Sequence, residues 1–433
     1  MNSKFSFLSL LLLVLVSLQI ARANEPAEAL ARKAVSENMA ESSQAIEELR
    51  ILGPTGFQAL MTQYVEEINL HRVSPTAASD QQWLRIASAL DTVAQQKNSY
   101  LAGLYWHTDL DRAKKASVES GKPILSLRLL GKLTDELSCA NSRFFRTVLY
   151  SNAEVSAVLR ERFVLHWQSE RPVPTITIDF GDGRKLERTI TGNSIHYILD
   201  SSARPIEALP GLYGPQAFLR GLANAETLFK SLTGKNDQEK EPLLANYYRE
   251  RNNKIQLAWL ADTTKIGGKM PEGFFVAKSM NGEALSIAPL AVTKAITETT
   301  ILRAMTAASE ALGRITDEAA WKKIAQLHAA DGVLDSNSIA LIKRQNHMLP
   351  EKDMSRLLQK FQESAALDTV RNEYMLHTKL YSWLSRDPAR GDLDKFNEKV
   401  YAELFLTPRS DPWLGLVSAD VYTALDNGGV IKN

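Results

Sequence analysis

The sequence predicts an α/β layer flanked on both sides by helices, with a central mixed sheet that carries an extra hairpin. Three observations predict it. Two compact apolar runs of strand length, residues 123–130 and 163–167, lie between segments of helical spacing. Residues 175–180 alternate Thr, Ile, Thr, Ile, Asp, Phe, turn at Gly181-Asp182-Gly183, and alternate again to Ile190, which predicts a hairpin. Before residue 104 and after residue 235 the apolar residues keep a helical period.

Ala27, Leu30, Ala31, Ala34 and Val35 open the first helical region. Leu52-Gly53-Pro54 breaks the pattern. Phe57, Leu60, Met61 and Val65 resume it, followed by Trp83, Ile86, Leu90 and Val93. Thr108-Asp109-Leu110-Asp111 resembles a capping box and starts a helix that ends near Gly121. The first buried strand follows. Cys139 opens the next helix, and Ser151-Asn152-Ala153-Glu154 caps another through Val155, Val158 and Leu159. After the second strand and the hairpin, residues 195–199 form a further strand ending at Asp200, and residues 215–232 close the layer as a helix. The polar run 234–241 marks a boundary. Helical spacing returns over 287–312, 318–327, 354–384 and 393–404. The expected parts are a leader at 1–23, a helical region at 24–103, the α/β domain at 104–235 and an α-helical domain at 236–433.

The first residues have the form of a signal peptide. Lys4 supplies a positive start, Leu8 to Leu18 an apolar run, and Ala21-Arg22-Ala23 a small-x-small cleavage site. The run is short for a membrane span, which needs about 20 residues. Cleavage after Ala23 predicts a periplasmic or secreted protein with no stable membrane span. The chain has 51 basic and 50 acidic residues; losing Lys4 and Arg22 with the leader leaves a net charge of −1. Near-neutral charge without a basic cluster excludes a nucleic-acid grip. Hydrophobic content of 44% is ample for packed cores.

Cys139 is the only cysteine, so an exported chain cannot close an internal disulfide. On a helical wheel Phe144, Phe145, Val148 and Leu149 cluster opposite Cys139, while Arg143 and Arg146 fall on its side. This predicts an exposed thiol beside two arginines. A thiol of pKa about 8.5 is only roughly 3% ionised at pH 7. Half ionisation needs about 2 kcal/mol, of which a helix N-terminus supplies about 0.3–1 kcal/mol. Arg143 and Arg146 are the candidates for the rest, with Asp135 and Glu136 acting against them. Cysteine also packs as a small, inert hydrophobe.

Gly121-Lys122-Pro123-Ile124-Leu125 resembles the lead-in to the central strand of the thioredoxin-like family. Cys139-Ala140-Asn141-Ser142 falls where that family's Cys-x-x-Cys opens a helix. The resemblance covers residues 104–232 and is closest to exported bacterial thioredoxin-like proteins. It implies a thioredoxin-like fold and thiol–disulfide chemistry. Ser142 stands where the family has its resolving cysteine, and Ser194 where it has a cis-proline, so the resolving step is missing.

Ser194 and His196 share one face of a strand. Glu373 and His377, four apart on a helix, have a spacing that can hold a metal, but no third ligand is suggested and none is expected. His107 reads as structural and Trp413 as buried. Residues 171–174 and 209–215 read as stiff loops. No phosphate-binding, dinucleotide, hydrolase-elbow or zinc-protease motif is present, and no cofactor is expected.

The leading expectation is an exported monothiol protein that forms mixed disulfides with a small thiol or a protein partner. Cys139 would be the nucleophile, Ser142 and Arg143 its catalytic neighbours, and Arg146, Ser194 and His196 the binding residues. The alternative is a non-catalytic binding or scaffold module of the cell envelope. A one-cysteine peroxidase is a third reading, weakened by the missing Pro-x-x-x-Thr-x-x-Cys form.

Overall fold

The computed structural model describes residues 26–73, 80–189, 192–268, 312–313, 316–386, 391–414 and 430. The leader expected at 1–23 and most of the helix expected at 287–312 fall outside them. The chain divides into two compact units, Met1–Tyr105 and Trp106–Asn433.

The first unit is helical. It holds α1 (Ala27–Lys33), α2 (Met39–Ile51), α3 (Pro54–Gln63), α4 (Val65–Val73), α5 (Gln81–Ala94) and a single turn at Ser99–Ala102. Leu49, Leu60, Ile86, Leu90 and Val93 meet in its core. The break between α2 and α3 falls at Gly53, whose φ of 67° suits glycine, with Pro54 at the first helical position.

The second unit starts with α6 (Leu110–Ser120), capped by the Asp109 carboxylate rather than by Thr108. Asp109 accepts the Arg112 N–H, so the N-cap lies one residue later than expected, and no capping box forms because N3 is then Arg112. β1 (Ile124–Leu130) follows, then α7 (Ala140–Phe144), α8 (Ala153–Arg162), β2 (Val164–Arg171), β3 (Thr175–Asp179), β4 (Lys185–Thr189), β5 (Ser194–Leu199) and β6 (Pro205–Pro210). The main sheet has the order β2-β1-β5-β6, and β3 and β4 pair as a separate hairpin. β1 runs parallel to β2 and antiparallel to β5, and β5 pairs antiparallel with β6. Every residue of β1 is buried, as a strand covered on both faces requires. Even Arg128 is buried, with its charge matched by Glu170 at 3.1 Å and Asp394 at 3.0 Å.

Two sequence expectations are corrected here. The segment after Cys139 is not one regular helix: α7 gives way to a wider π-type turn at Phe145–Leu149. The extra residue per turn moves the register, so Phe145, Val148 and Leu149 stay buried, Phe144 is only half-buried, and Arg146 is drawn inside. Residues 205–210, read partly as a stiff loop, form the edge strand β6. Its prolines sit at its two ends, where an edge strand can spare a donor.

Helices complete the unit: α9 (Pro215–Leu232), α10 (Asp237–Lys265), α11 (Glu318–Leu327), α12 (Ser336–Gln345), α13 (Glu351–Arg371), α14 (Thr378–Arg386) and α15 (Leu393–Lys399). π-type turns at Asn372–His377 and Val400–Leu404 extend α13 and α15. The polar run read as a boundary is the capped start of α10, where Asn236 and Glu239 form a reciprocal capping box. Trp413 is 46% exposed rather than buried. No described helix is long and apolar enough to cross a membrane.

Candidate functional site

Cys139 is the N-cap of α7 and is completely buried. Its sulfur accepts the Ser142 N–H at 3.5 Å, which occupies a donor that a helix start otherwise leaves open. The exposed thiol read from the helical wheel is therefore not what the structure holds. The Ser142 hydroxyl turns back to the Cys139 carbonyl at 2.9 Å. Arg143 stays beside the thiol and is half-buried. Burial pulls its guanidinium below its usual range, while Cys139 and Glu136 act the other way. Arg146 is buried. Its guanidinium donates to the Leu133 and Glu136 carbonyls and to the Ser138 hydroxyl.

Ser194 and His196 are both buried on β5. The Ser194 hydroxyl has no hydrogen-bond partner among the described residues. His196 Nε2 meets the Tyr150 hydroxyl at 2.7 Å, and the ring packs against Phe145 and Phe218. Burial pushes His196 down to about 3, so it is neutral. Tyr150 and Tyr401 lie within electrostatic reach of Cys139, and burial raises both phenols well above their usual range. Tyr401 belongs to the C-terminal helices and donates to the carbonyl of Asn193, next to Ser194. The thiol is thus buried, with two neutral phenols and the Arg143 guanidinium within electrostatic reach.

A second cluster is built differently. β6 alternates, so Glu207 and Leu209 point to one side of the sheet. There they line a cavity of about 280 Å³ walled by α9, α10 and the α13–α14 segment. On α9 the wall is Ala217, Arg220, Gly221 and Asn224. On α10 it is Arg251, Lys254, Ile255 and Ala258, all on one helical face. The start of α9 is pinned by close contact. A Cβ on Gly214 would lie 1.9 Å from the Asp331 carbonyl, and the Gly214 N–H donates to Thr369 Oγ1 at 2.7 Å. Only glycine lets Asp331 reach the cavity there.

His377 is the centre of this cluster. Its Nδ1 is 2.8 Å from Glu373 Oε2 and its Nε2 3.2 Å from Glu207 Oε1. Tyr381 and Tyr247 donate to Glu207 Oε2 at 2.8 Å and 2.6 Å, and Tyr213 donates to Glu373 Oε2 at 3.2 Å. Burial opposes a charge on His377, but the two carboxylates outweigh it and push the imidazole up to about 9. Burial likewise pushes Glu373 up, yet His377, Arg251 and Tyr213 hold it below the usual carboxylate range. Nearby, Asp331 takes both guanidinium nitrogens of Arg220, at 2.7 Å and 2.8 Å. His328 Nε2 and the Tyr374 hydroxyl each lie 2.6 Å from Asp262 Oδ2.

The Glu373/His377 spacing is visible in the sequence. Glu207, Tyr213, Tyr381 and Arg251 are not, because they reach the site through tertiary folding. Glu207 supplies the third group that the spacing lacks, but both imidazole nitrogens already bond to carboxylates. No group of three or more His, Cys, Asp or Glu side chains among the described residues is placed to hold a metal ion. Comparison with family models, with curated proteins and with solved structures finds nothing that matches this chain.

Proposed function

We propose that the chain is a thioredoxin-like module of the cell envelope that acts by binding, with Cys139 as a structural residue. The observation that carries this reading is the complete burial of Cys139. A thiol that forms mixed disulfides has to be reached by a second sulfur, and attack depends on that access. The thioredoxin-like part is supported by the strand order β2-β1-β5-β6, with one parallel and two antiparallel pairings. It is supported further by the position of Cys139 at the start of the helix after the central strand.

Alkylation of the folded, mature protein with iodoacetamide over pH 6–10 tests it. The expected result is slow modification at every pH that becomes fast only on unfolding. Fast modification of the folded chain, with a midpoint well below about 8.5, overturns the reading. It would favour the monothiol alternative, in which Cys139, Ser142 and Arg143 carry the chemistry. That alternative has one support of its own: a sulfur that accepts an N–H at a helix start beside Arg143 sits where a thiolate is stabilised.

A further inference from the structure

We infer that the cavity between β6, α9, α10 and α13 binds a small organic carboxylate. Its anionic end would lie against Arg251, Lys254 and Asn224, and its apolar body against Leu209, Ile255 and Val370. A binding role for the module gives this site its setting, and Cys139 takes no part in it.

Charge selects the ligand class. Each acid of the lining already has a cationic partner. Glu207 accepts from Tyr247, Tyr381, His377 and the Ala208 N–H. Glu373 accepts from His377 and Tyr213, and Asp331 takes the Arg220 fork. A cationic ligand would therefore find no free carboxylate. The cations are less fully used. Arg251 makes two long contacts among the described residues, 3.4 Å to the Tyr381 hydroxyl and 3.6 Å to Glu373 Oε1. Its other N–H groups are open to a forked bond with a carboxylate. Lys254 and Asn224 make no hydrogen bond or ion pair among the described residues. His377, Arg220 and Arg251 balance Glu207, Glu373 and Asp331, which leaves the single charge of Lys254 unmatched. One excess positive charge suits a monoanion.

Size and polarity narrow it further. At about 280 Å³ the cavity is smaller than most ligand sites, which span about 300–1,000 Å³. Leu209, Ala217, Ile255 and Val370 supply apolar wall, so the occupant has an apolar body as well as a charged end.

Benzoate and hexanoate, titrated into the purified full chain by calorimetry, test this, with benzyl alcohol and benzylamine as neutral and cationic controls. Saturable binding of at least one carboxylate is expected, with neither control binding as tightly. Lys254→Gln should weaken it about tenfold, the scale of one charged hydrogen bond. Ala258→Met, which fills the space and changes no charge, should abolish it. Both positions are exposed, so the fold should survive, and circular dichroism checks this. Failure of both carboxylates to bind, equal binding of a control, or binding indifferent to both substitutions overturns the inference. Cys139 alkylation is a separate readout. A reactive thiol would overturn the structural-cysteine reading and leave a carboxylate-binding cavity standing.

Discussion

His196 and His377 are both buried histidines held by side-chain hydrogen bonds, and they sit in opposite charge states. Around His196 the partners are a phenol and aromatic rings, so burial acts alone and the ring is neutral. His166, on β2, is in the same position. It bonds the Ser126 hydroxyl at 2.8 Å, and burial, helped by Arg128, pushes it down to about 3. Around His377 two carboxylates reverse the outcome. Equal burial therefore gives an inert seal in the sheet and a fixed charge at the cavity. The difference lies in whether a counter-charge has been brought inside with the ring.

Removing each ring tests the contrast most severely. His377→Ala leaves Glu207 buried without its cation and Glu373 with only the long Arg251 contact, and losing one member of a buried ionic network costs about 3–5 kcal/mol. His196→Phe leaves one phenol unpaired in an apolar setting, a cost of about 1–3 kcal/mol. Urea unfolding of the two variants measures both. A His377→Ala cost no larger than that of His196→Phe would break the comparison.

Acid comes next. A neutral buried histidine must take up a proton on unfolding below its ordinary pKa of about 6.5. Stability from His166 and His196 is therefore whole above 6.5 and falls on acidification towards 3, by up to about 1.4 kcal/mol per pH unit for each ring. The two together approach about 3 kcal/mol per unit. His196→Phe should halve that slope in unfolding measured between pH 6 and 5. An unchanged slope would mean that these rings are not the source.

The alkaline side is smaller and has the opposite sign. His377 has a raised pKa, so its stabilisation is whole below about 6.5 and is lost as pH rises towards about 9. The expected slope is about 1.4 kcal/mol per pH unit, from one ring only. The wild type should lose melting temperature between pH 7 and 9, and His377→Gln should lose far less over the same range. Equal losses would show that His377 is not charged in the folded protein.

Much of the sheet is legible in the sequence because its strands announce themselves locally. β1 is an apolar run, and the β3–β4 hairpin carries its own Gly181-Asp182-Gly183 turn. β6 has no such signal. It is six residues with a proline at each end, of which Leu209 and Pro210 read as the start of a loop, and missing that strand means missing Glu207. The half of the ionic cluster on one helix, Glu373 and His377, is readable at i, i+4. The other half comes from 170 residues away. The thiol failed in the other direction. Its helix start and flanking arginines are local facts and were readable. Its surroundings include Tyr150 and also Tyr401, which lies far along the chain. A helical wheel holds none of that information.

The smallest expected effect concerns the residue that the sequence makes most conspicuous. Cys139→Ser keeps an acceptor for the Ser142 N–H, and serine is among the better N-cap residues. Against that gain stands the cost of burying a more polar group in a sealed site, so the net change should stay within about 1 kcal/mol. Cys139→Ala loses the cap altogether and should cost about 1 kcal/mol more than the serine variant. Urea unfolding of the pair gives that difference, and carboxylate titration of Cys139→Ser should match the wild type. A serine variant that is less stable than the alanine one would show that the sulfur is held by packing rather than as a cap. The thiol would then resemble the neutral histidines of the sheet more closely than a helix terminus, and α7 would need another source for its first hydrogen bond.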